Sequence, residues 1–108
     1  MNKSIDDIDF EKSGGIVPVI VQDAHTKDVL TLAYTNKESL ELTKKTGNSW
    51  FWSRSRNKLW MKGEESGNTQ EIKEILVDCD SDAIIYLVEP SGPACHTGEN
   101  VCFHHNLK

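Results

Sequence analysis

Three cysteines, Cys79, Cys95 and Cys102, are the residues of this 108-residue sequence whose potential chemistry is easiest to define. Three thiolates, completed by an imidazole or a water molecule, form a tetrahedral zinc site, and His96 stands next to Cys95. No Cys-x-x-Cys pair is present, which argues against a thioredoxin-like dithiol. Two interpretations stay open: a zinc site with one replaceable position, which is typical of catalysis, or small residues of the core.

The second group consists of three aspartates at a spacing of two, Asp78, Asp80 and Asp82. In an extended chain this spacing puts the three carboxylates on one face and Cys79 on the other. Crowded carboxylates repel one another unless a hard cation such as Mg²⁺ lies among them. The alternative is a solvated acidic turn between two strands.

The third group is the segment from Trp50 to Lys62, which contains all three tryptophans and both arginines of the chain. Residues 44–63 hold six basic residues and no acidic one, although the net charge of the whole chain is −5. A guanidinium binds phosphate in a bidentate manner, and an indole stacks on a base. A phosphorylated nucleotide or single-stranded nucleic acid fits this segment. Alternatively, the aromatic side chains fill the core and the bases face water.

Strands and one helix are needed to position these groups, and the pattern of apolar residues predicts where they lie. The predicted strands span residues 16–22, 29–34, 50–53, 59–61, 69–77 and 83–88. Asn36 and Gly47 are placed to begin and end a helix over Lys37–Thr46. Segment 69–77 also fits a helix face. The predicted fold class is α+β, a mostly antiparallel sheet with one short helix, in a single domain over residues 1–108.

Composition excludes several classes of protein. Hydrophobic residues make up 37% of the chain and charged residues 27%, which fits neither a disordered nor a membrane protein. The longest apolar run, from Ala83 to Val88, is far too short to cross a bilayer. Three cysteines without a visible export signal indicate reduced thiols and a cytoplasmic location. The acidic balance outside residues 44–63 argues against a long polyanion as the partner.

Four motifs in fixed order carry a resemblance to a known family. They are WSRSRNKLW at 52–60, KGEESGNTQ at 62–70, DCDSDA at 78–83 and GPACHTG at 92–98, followed by Cys102 and Phe103. Together they closely resemble the phosphoribosyl-AMP cyclohydrolases of histidine biosynthesis in their stand-alone form, from about Gly15 to Phe103. Members of that family hydrolyse the bond between N1 and C6 of the adenine ring of 1-(5-phosphoribosyl)-AMP.

The resemblance implies a role for each group. It implies that Cys79, Cys95 and Cys102 bind zinc, and that magnesium is bound by the three aspartates Asp78, Asp80 and Asp82. It also implies a homodimer in which the zinc ligands come from both subunits. For the phosphorylated nucleotide substrate we expect contacts from six residues: Trp52, Arg54, Arg56, Lys58, Ser66 and Asn68.

The expected reaction explains why a zinc site and a histidine are needed. Alkylation at N1 makes C6 of the adenine electrophilic, so the reaction lacks only a strong nucleophile at neutral pH. Zinc lowers the pKa of a bound water from 15.7 towards about 7. We expect His96 to take a proton from that water and return it to the leaving nitrogen, although a role as zinc ligand stays open. The alternative function is a zinc-stabilised module that binds a nucleotide or single-stranded nucleic acid without turnover.

Overall fold

The computed structural model describes residues 2–108, in which two short 3₁₀ turns precede the predicted hairpin. Strand β1 (Val17–Asp23) pairs antiparallel with β2 (Val29–Thr35). The β-branched and apolar residues of both segments fit a pleated, half-buried surface. Asp23 closes the connection, because its Oδ1 accepts the backbone N–H groups of His25 at 2.8 Å and Thr26 at 3.0 Å. The predicted hairpin is confirmed.

The helix α1 (Lys37–Thr46) begins and ends where its capping residues predict. Asn36 Oδ1 accepts the backbone N–H of Ser39, and Ser39 Oγ accepts the backbone N–H of Asn36, each at 2.8 Å. These two reciprocal hydrogen bonds satisfy two backbone N–H groups that have no partner within the first turn of the helix. Gly47 ends the helix in a left-handed conformation with φ of 76°.

The remaining strands form the rest of two sheets. Strands β3 (Trp50–Ser53) and β4 (Lys58–Met61) make an antiparallel two-stranded sheet. Strands β5 (Gln70–Val77) and β6 (Ile84–Pro90) join the first hairpin in a four-stranded sheet of order β2-β1-β6-β5. The β1–β6 pair is parallel and the others are antiparallel. The α+β class is therefore confirmed, whereas the helical alternative for residues 69–77 is wrong, because this segment pairs with β6.

One face of the four-stranded sheet carries the core. Val17, Val19 and Val21 are completely buried, and Phe51 brings the two-stranded sheet onto Tyr86 with ring centroids 5.8 Å apart. The Tyr86 hydroxyl donates to the carbonyl oxygen of Trp50 at 3.2 Å, so this buried polar atom is satisfied. The two sheets and the helix thus share one core.

The opposite face of this sheet, which we call the outer face, is also apolar. Leu32, Ile20, Ile85 and Leu76 form a row across all four strands, because each is the direct partner of the next. Leu32 is 46% exposed and Leu76 is 39% exposed. Contiguous exposed apolar surface of this kind is typical of an interaction site.

The strand pairing gives the four-stranded sheet two distinct ends. Ile84 pairs with Val19 near the start of β1, so the β5–β6 connection lies at one end, which we call the turn end. Gln70 pairs with Pro90 at the other end, so the segments that precede β5 and follow β6 meet there. We call this second end the cleft end. No helix within residues 2–108 combines the length and the hydropathy that crossing a bilayer requires.

Candidate active site

A cleft of about 500 Å³ opens at the cleft end of the sheet. Its walls come from the β3–β4 hairpin, from the loop that precedes β5 and from the loop that follows β6. Three cations line it, Arg56, Lys58 and Lys62, together with the carboxylates of Glu64 and Glu65, and His96 lines it from the loop after β6. The cleft therefore combines a small excess of positive charge with an imidazole, a combination suited to an anionic ligand that undergoes proton transfer.

The loop between β4 and β5 forms one wall by folding back on itself. The backbone N–H of Gly67 donates to the carbonyl oxygen of Gly63 at 2.8 Å. Gly63 has φ of 85°, and a Cβ atom there would lie 2.5 Å from the backbone nitrogen of Thr69. Only glycine fits this position, because both the conformation and the close approach exclude a side chain.

The residues predicted to bind substrate divide into two sets. Arg56, Lys58 and Ser66 line the cleft. The other three residues, Trp52, Arg54 and Asn68, are not among its lining side chains.

Each residue of the second set has a different local environment. The Arg54 guanidinium lies 3.9 Å from the centroid of the Tyr34 ring, a cation–π contact. The Asn68 side chain lies against Gly92, where its Oδ1 would meet an added Cβ atom. Trp52 is half-buried in β3. Trp60, which was not among the predicted residues, lines the cleft and stacks on Phe51 at 4.8 Å.

Two of the three cysteines meet at the cleft end. Cys95 Sγ lies 3.8 Å from His104 Nε2 and accepts a hydrogen bond from the Thr97 hydroxyl at 3.0 Å. Hydrogen bonds from the Thr97 side chain and backbone, then from His104 and Cys102, lower the pKa of the Cys95 thiol to about 6. A thiol with this pKa is a thiolate at neutral pH, which is the form that binds metal.

Cys79 lies apart from the other two cysteines. It follows β5 in the turn, whereas the backbone N–H of Cys102 donates to the carbonyl oxygen of Leu30 in β2 at 2.7 Å. Strands β2 and β5 are the two edges of the sheet, three strand spacings or roughly 14 Å apart. Sulfurs that share one zinc ion lie within about 4 Å of each other, so one chain does not bring the three together.

The aspartates form a compact cluster in what we call the aspartate turn, residues 78–82. Within residues 2–108 it is the only group of three or more potential metal ligands whose atoms all lie within 4.8 Å of one another. The chain is not extended here, so the predicted alternation of faces is wrong. Instead, Asp78 Oδ1 accepts the backbone N–H groups of Asp82 at 2.9 Å and Ala83 at 3.2 Å, which bends the chain into a turn. The curvature gathers the three carboxylates.

Charge at the aspartate turn is partly balanced by a lysine far away in the sequence. Lys12 Nζ lies 2.8 Å from Asp82 Oδ2 and 3.5 Å from Asp80 Oδ2. The hydrogen bond from Lys12 is the main reason that the pKa of Asp82 falls to about 2. The pKa of Asp80 is raised, mainly by its hydrogen bond with the Asp82 side chain. The donor set, three carboxylates, suits a hard divalent cation.

Several residues at these sites carried no signal in the sequence. Lys62 was part of the basic segment but was not singled out. Lys12 contacts Asp80, which lies 68 positions further along the sequence, and Lys3 contacts Asp78, which lies 75 positions further. His104 had no assigned role. Because none of these contacts follows from local spacing, only the fold reveals them.

Comparison with known proteins agrees with the motifs. A family model described as phosphoribosyl-AMP cyclohydrolase matches residues 31–104. A phosphoribosyl-AMP cyclohydrolase of Nitrosopumilus maritimus is 87% identical over 108 residues, which are 100% of both chains. The corresponding protein of Cenarchaeum symbiosum is 79% identical over 107 residues, 99% of each chain.

A longer relative shows the same similarity over part of its length. The histidine biosynthesis bifunctional protein HisIE of Thermus thermophilus is 63% identical over 93 residues, which are 86% of this chain and 44% of that protein. The match thus covers whole proteins of this size as well as a part of a larger one. On these similarities and its motifs, the chain belongs to the phosphoribosyl-AMP cyclohydrolase family of enzymes.

Proposed function

We propose that this chain is a cytoplasmic, zinc- and magnesium-dependent enzyme of histidine biosynthesis that hydrolyses the N1–C6 bond of the adenine ring in 1-(5-phosphoribosyl)-AMP. The observation that carries the proposal is the cleft that His96 lines together with Arg56, Lys58 and Lys62. A substrate with two phosphates needs cations, and ring hydrolysis needs a group that moves a proton. Membership of the cyclohydrolase family supports the choice of substrate.

The cationic side of the cleft holds and orients the substrate. Arg56 offers a planar fork that matches two phosphate oxygens, whereas Lys58 and Lys62 act as point charges. The half-exposed ring of Trp60 lies in the same wall and presents a surface on which a base stacks. Ser66 adds a hydroxyl donor from the loop that Gly63 closes.

Zinc belongs to the proposal because the chemistry of the donors at the cleft end fits it. Cys95 is a thiolate at neutral pH, Cys102 lies beside it, and the His104 ring nitrogen is within 3.8 Å of the Cys95 sulfur. When bound, zinc supplies a Lewis acid that lowers the pKa of a coordinated water towards about 7. His96, which lines the cleft, would take a proton from the attacking water and return it to N1 as the C6–N1 bond breaks.

A homodimer is the assembly that completes the sulfur set. Cys79 lies at one edge of the sheet and Cys102 beside the other, so a second copy supplies the missing sulfur. The row of apolar side chains on the outer face provides surface for such a contact, with Leu32 and Leu76 more than a third exposed. Burial of this apolar area in the contact would favour association.

Magnesium binding at the aspartate turn completes the proposal. Three carboxylates within 4.8 Å of one another supply the hard oxygen ligands that this ion prefers. In a dimer that joins Cys79 of one chain to the cysteines of the other, the aspartate turn approaches the partner's cleft. An ion held there contributes positive charge near the substrate phosphates, in addition to Arg56 and the lysines.

A ring-opening assay on phosphoribosyl-AMP tests the function directly. We expect turnover by the zinc-loaded chain, loss of turnover after chelation and recovery on addition of Zn²⁺, because the nucleophile depends on the metal. His96→Asn should keep its zinc content yet lose at least about 100-fold in kcat, since general acid–base catalysis contributes that much. Full turnover by zinc-free protein would refute the zinc role. Nucleotide binding without turnover would favour a binding module instead.

A further inference from the structure

The N-terminal segment, residues 3–13, lies against the aspartate turn although it precedes the stretch that the family model matches. It consists of two short 3₁₀ turns, Ile5–Asp7 and Glu11–Ser13. Ile8, between them, is only 8% exposed and belongs to the hydrophobic core. The segment is therefore anchored by burial and is not a free tail.

Hydrogen bonds join this segment to the backbone of the aspartate turn. Lys3 Nζ donates to the carbonyl oxygens of Asp78 and Cys79, each at 3.0 Å, and to Ser81 Oγ at 2.7 Å. The backbone N–H of Asp9 donates to the carbonyl oxygen of Ser81 at 2.8 Å. These contacts hold the shape of the turn without touching its carboxylates.

Lys12 makes a different kind of contact, because its ammonium group meets the carboxylates themselves. It lies 2.8 Å from Asp82 and 3.5 Å from Asp80. A divalent cation that binds these two side chains needs the same space, since magnesium–oxygen distances are only about 2.1 Å. The ammonium and the metal ion exclude each other.

We propose that Lys12 is a tethered competitor for the cation position of the aspartate turn: its ammonium neutralises Asp80 and Asp82 while no metal is bound, and it moves away when Mg²⁺ binds. This inference rests on the proposed role of magnesium. Lys12 thereby determines how much Mg²⁺ the turn requires, and Lys3 preserves the geometry of the turn in both states. Because Lys12 is about half exposed, its side chain has room to leave without disturbing the core.

Titration of the zinc-loaded full chain with Mg²⁺, followed by calorimetry, tests the competition. Lys12→Met removes the competing charge and should tighten Mg²⁺ binding roughly two- to fivefold, the range set by a surface ion pair. Lys3→Met is the matched control, because it removes an equal charge that contacts the backbone of the same turn. We expect Lys3→Met to leave the affinity unchanged or to weaken it.

A second measurement needs no variant, so it does not depend on how a substitution folds. Acetylation of Lys12 in the wild-type chain, read by mass spectrometry, should increase when Mg²⁺ is added, with exposed Lys45 as the internal standard. The proposed displacement of Lys12 would be overturned if both variants bound Mg²⁺ more tightly by the same factor. It would also be overturned if Mg²⁺ bound without changing the acetylation of Lys12. Absence of Mg²⁺ binding in all the proteins would overturn the magnesium role as well, which separates the two failures.

Discussion

The two ends of the four-stranded sheet are built on different principles. At the turn end, the three carboxylates come from five consecutive residues, and Asp78 bends this segment by accepting the backbone N–H groups of Asp82 and Ala83. At the cleft end, the groups come from the β3–β4 hairpin, from the loop before β5 and from the loop after β6. A site made by one turn is local, whereas a cleft made by three segments exists only after the chain has folded.

The cleft end is also incomplete in a way that the turn end is not. Cys95 and Cys102 meet there, but Cys79 lies at the opposite edge of the sheet. The turn end holds all its predicted ligands within 4.8 Å. If the proposed dimer forms, the turn end of one copy should supply the sulfur that the cleft end of the other lacks.

The largest effect is expected from mixing two inactive variants. Cys79→Ser and Cys102→Ser should each abolish zinc binding and turnover alone. In a mixed dimer, one of the two sites receives only wild-type sulfurs, so random subunit exchange should restore about a quarter of wild-type turnover. The assay is ring opening after mixing, with differently tagged chains to count mixed dimers. If mixed dimers form and stay inactive, the sulfurs do not come from two chains.

A second prediction concerns the wall of the cleft. Gly63→Ala should lower the free energy of unfolding by about 2–4 kcal/mol, because a positive φ and a backbone clash are imposed together. Gly67→Ala is the control, since Gly67 has φ of 81° but no atom within 4 Å of an added Cβ. Its cost should be about 1 kcal/mol. Urea unfolding measures the free energy of unfolding of both variants. Equal losses of stability would contradict the close approach of backbone atoms at Gly63.

The two arginines provide a smaller and more specific comparison. Arg56→Lys should raise KM about tenfold with little change in kcat, because it replaces the bidentate fork that lines the cleft. Arg54→Lys should change KM by about twofold or less, since Arg54 stacks on Tyr34 and a lysine keeps that cation–π contact. Steady-state kinetics of the two variants measure this difference. If both substitutions raised KM equally, Arg54 would contact the substrate phosphates directly.

The smallest effect is expected from Asp23, whose carboxylate shapes the β1–β2 turn much as Asp78 shapes the aspartate turn. The hydrogen bond from the Thr26 backbone is the main reason that the pKa of Asp23 lies below its ordinary value of 3.8. Because folding lowers this pKa, the ionised carboxylate stabilises the fold at every pH above the pKa of the unfolded chain. This stability is lost as the pH falls through the pKa of the folded chain.

Comparing unfolding of wild-type chain and Asp23→Asn across the acid range measures this contribution. The wild-type advantage should be constant near neutral pH and shrink below about pH 4. An advantage that grows with acidity would mean that the pKa is raised by folding. The same pair of proteins should bind Mg²⁺ equally, because Asp23 is remote from the aspartate turn.

Local signals account for much of what was predictable in the fold. The helix bounds follow from Asn36 and Gly47, because caps and left-handed glycine act on the adjacent backbone alone. Segment 69–77 was ambiguous, since its apolar residues suit either a helix or a strand and only pairing with β6 decides. The parallel pairing of β1 with β6 had no local signal at all, because it joins residues more than sixty positions apart.

The candidate site divides in the same way. Motif spacing was enough to single out Cys95, His96 and Arg56, and the structure brings His96 and Arg56 to one cleft. The aspartates were predicted as a group for the wrong reason, since a turn gathers them and not an extended chain. Arg54 could not be separated from Arg56 in advance, because only the fold places Arg54 on the ring of Tyr34 and Arg56 in the cleft.

By itself, the sequence determined which residue types are present, their order in family motifs and the local elements that carry them, because these depend on near neighbours along the chain. Only the tertiary structure decided that Cys79 and Cys102 lie at opposite edges of one sheet and that Lys12 reaches the aspartates. The physical reason is the strand order, which is set by burial of apolar faces over the whole chain and places distant residues together or apart.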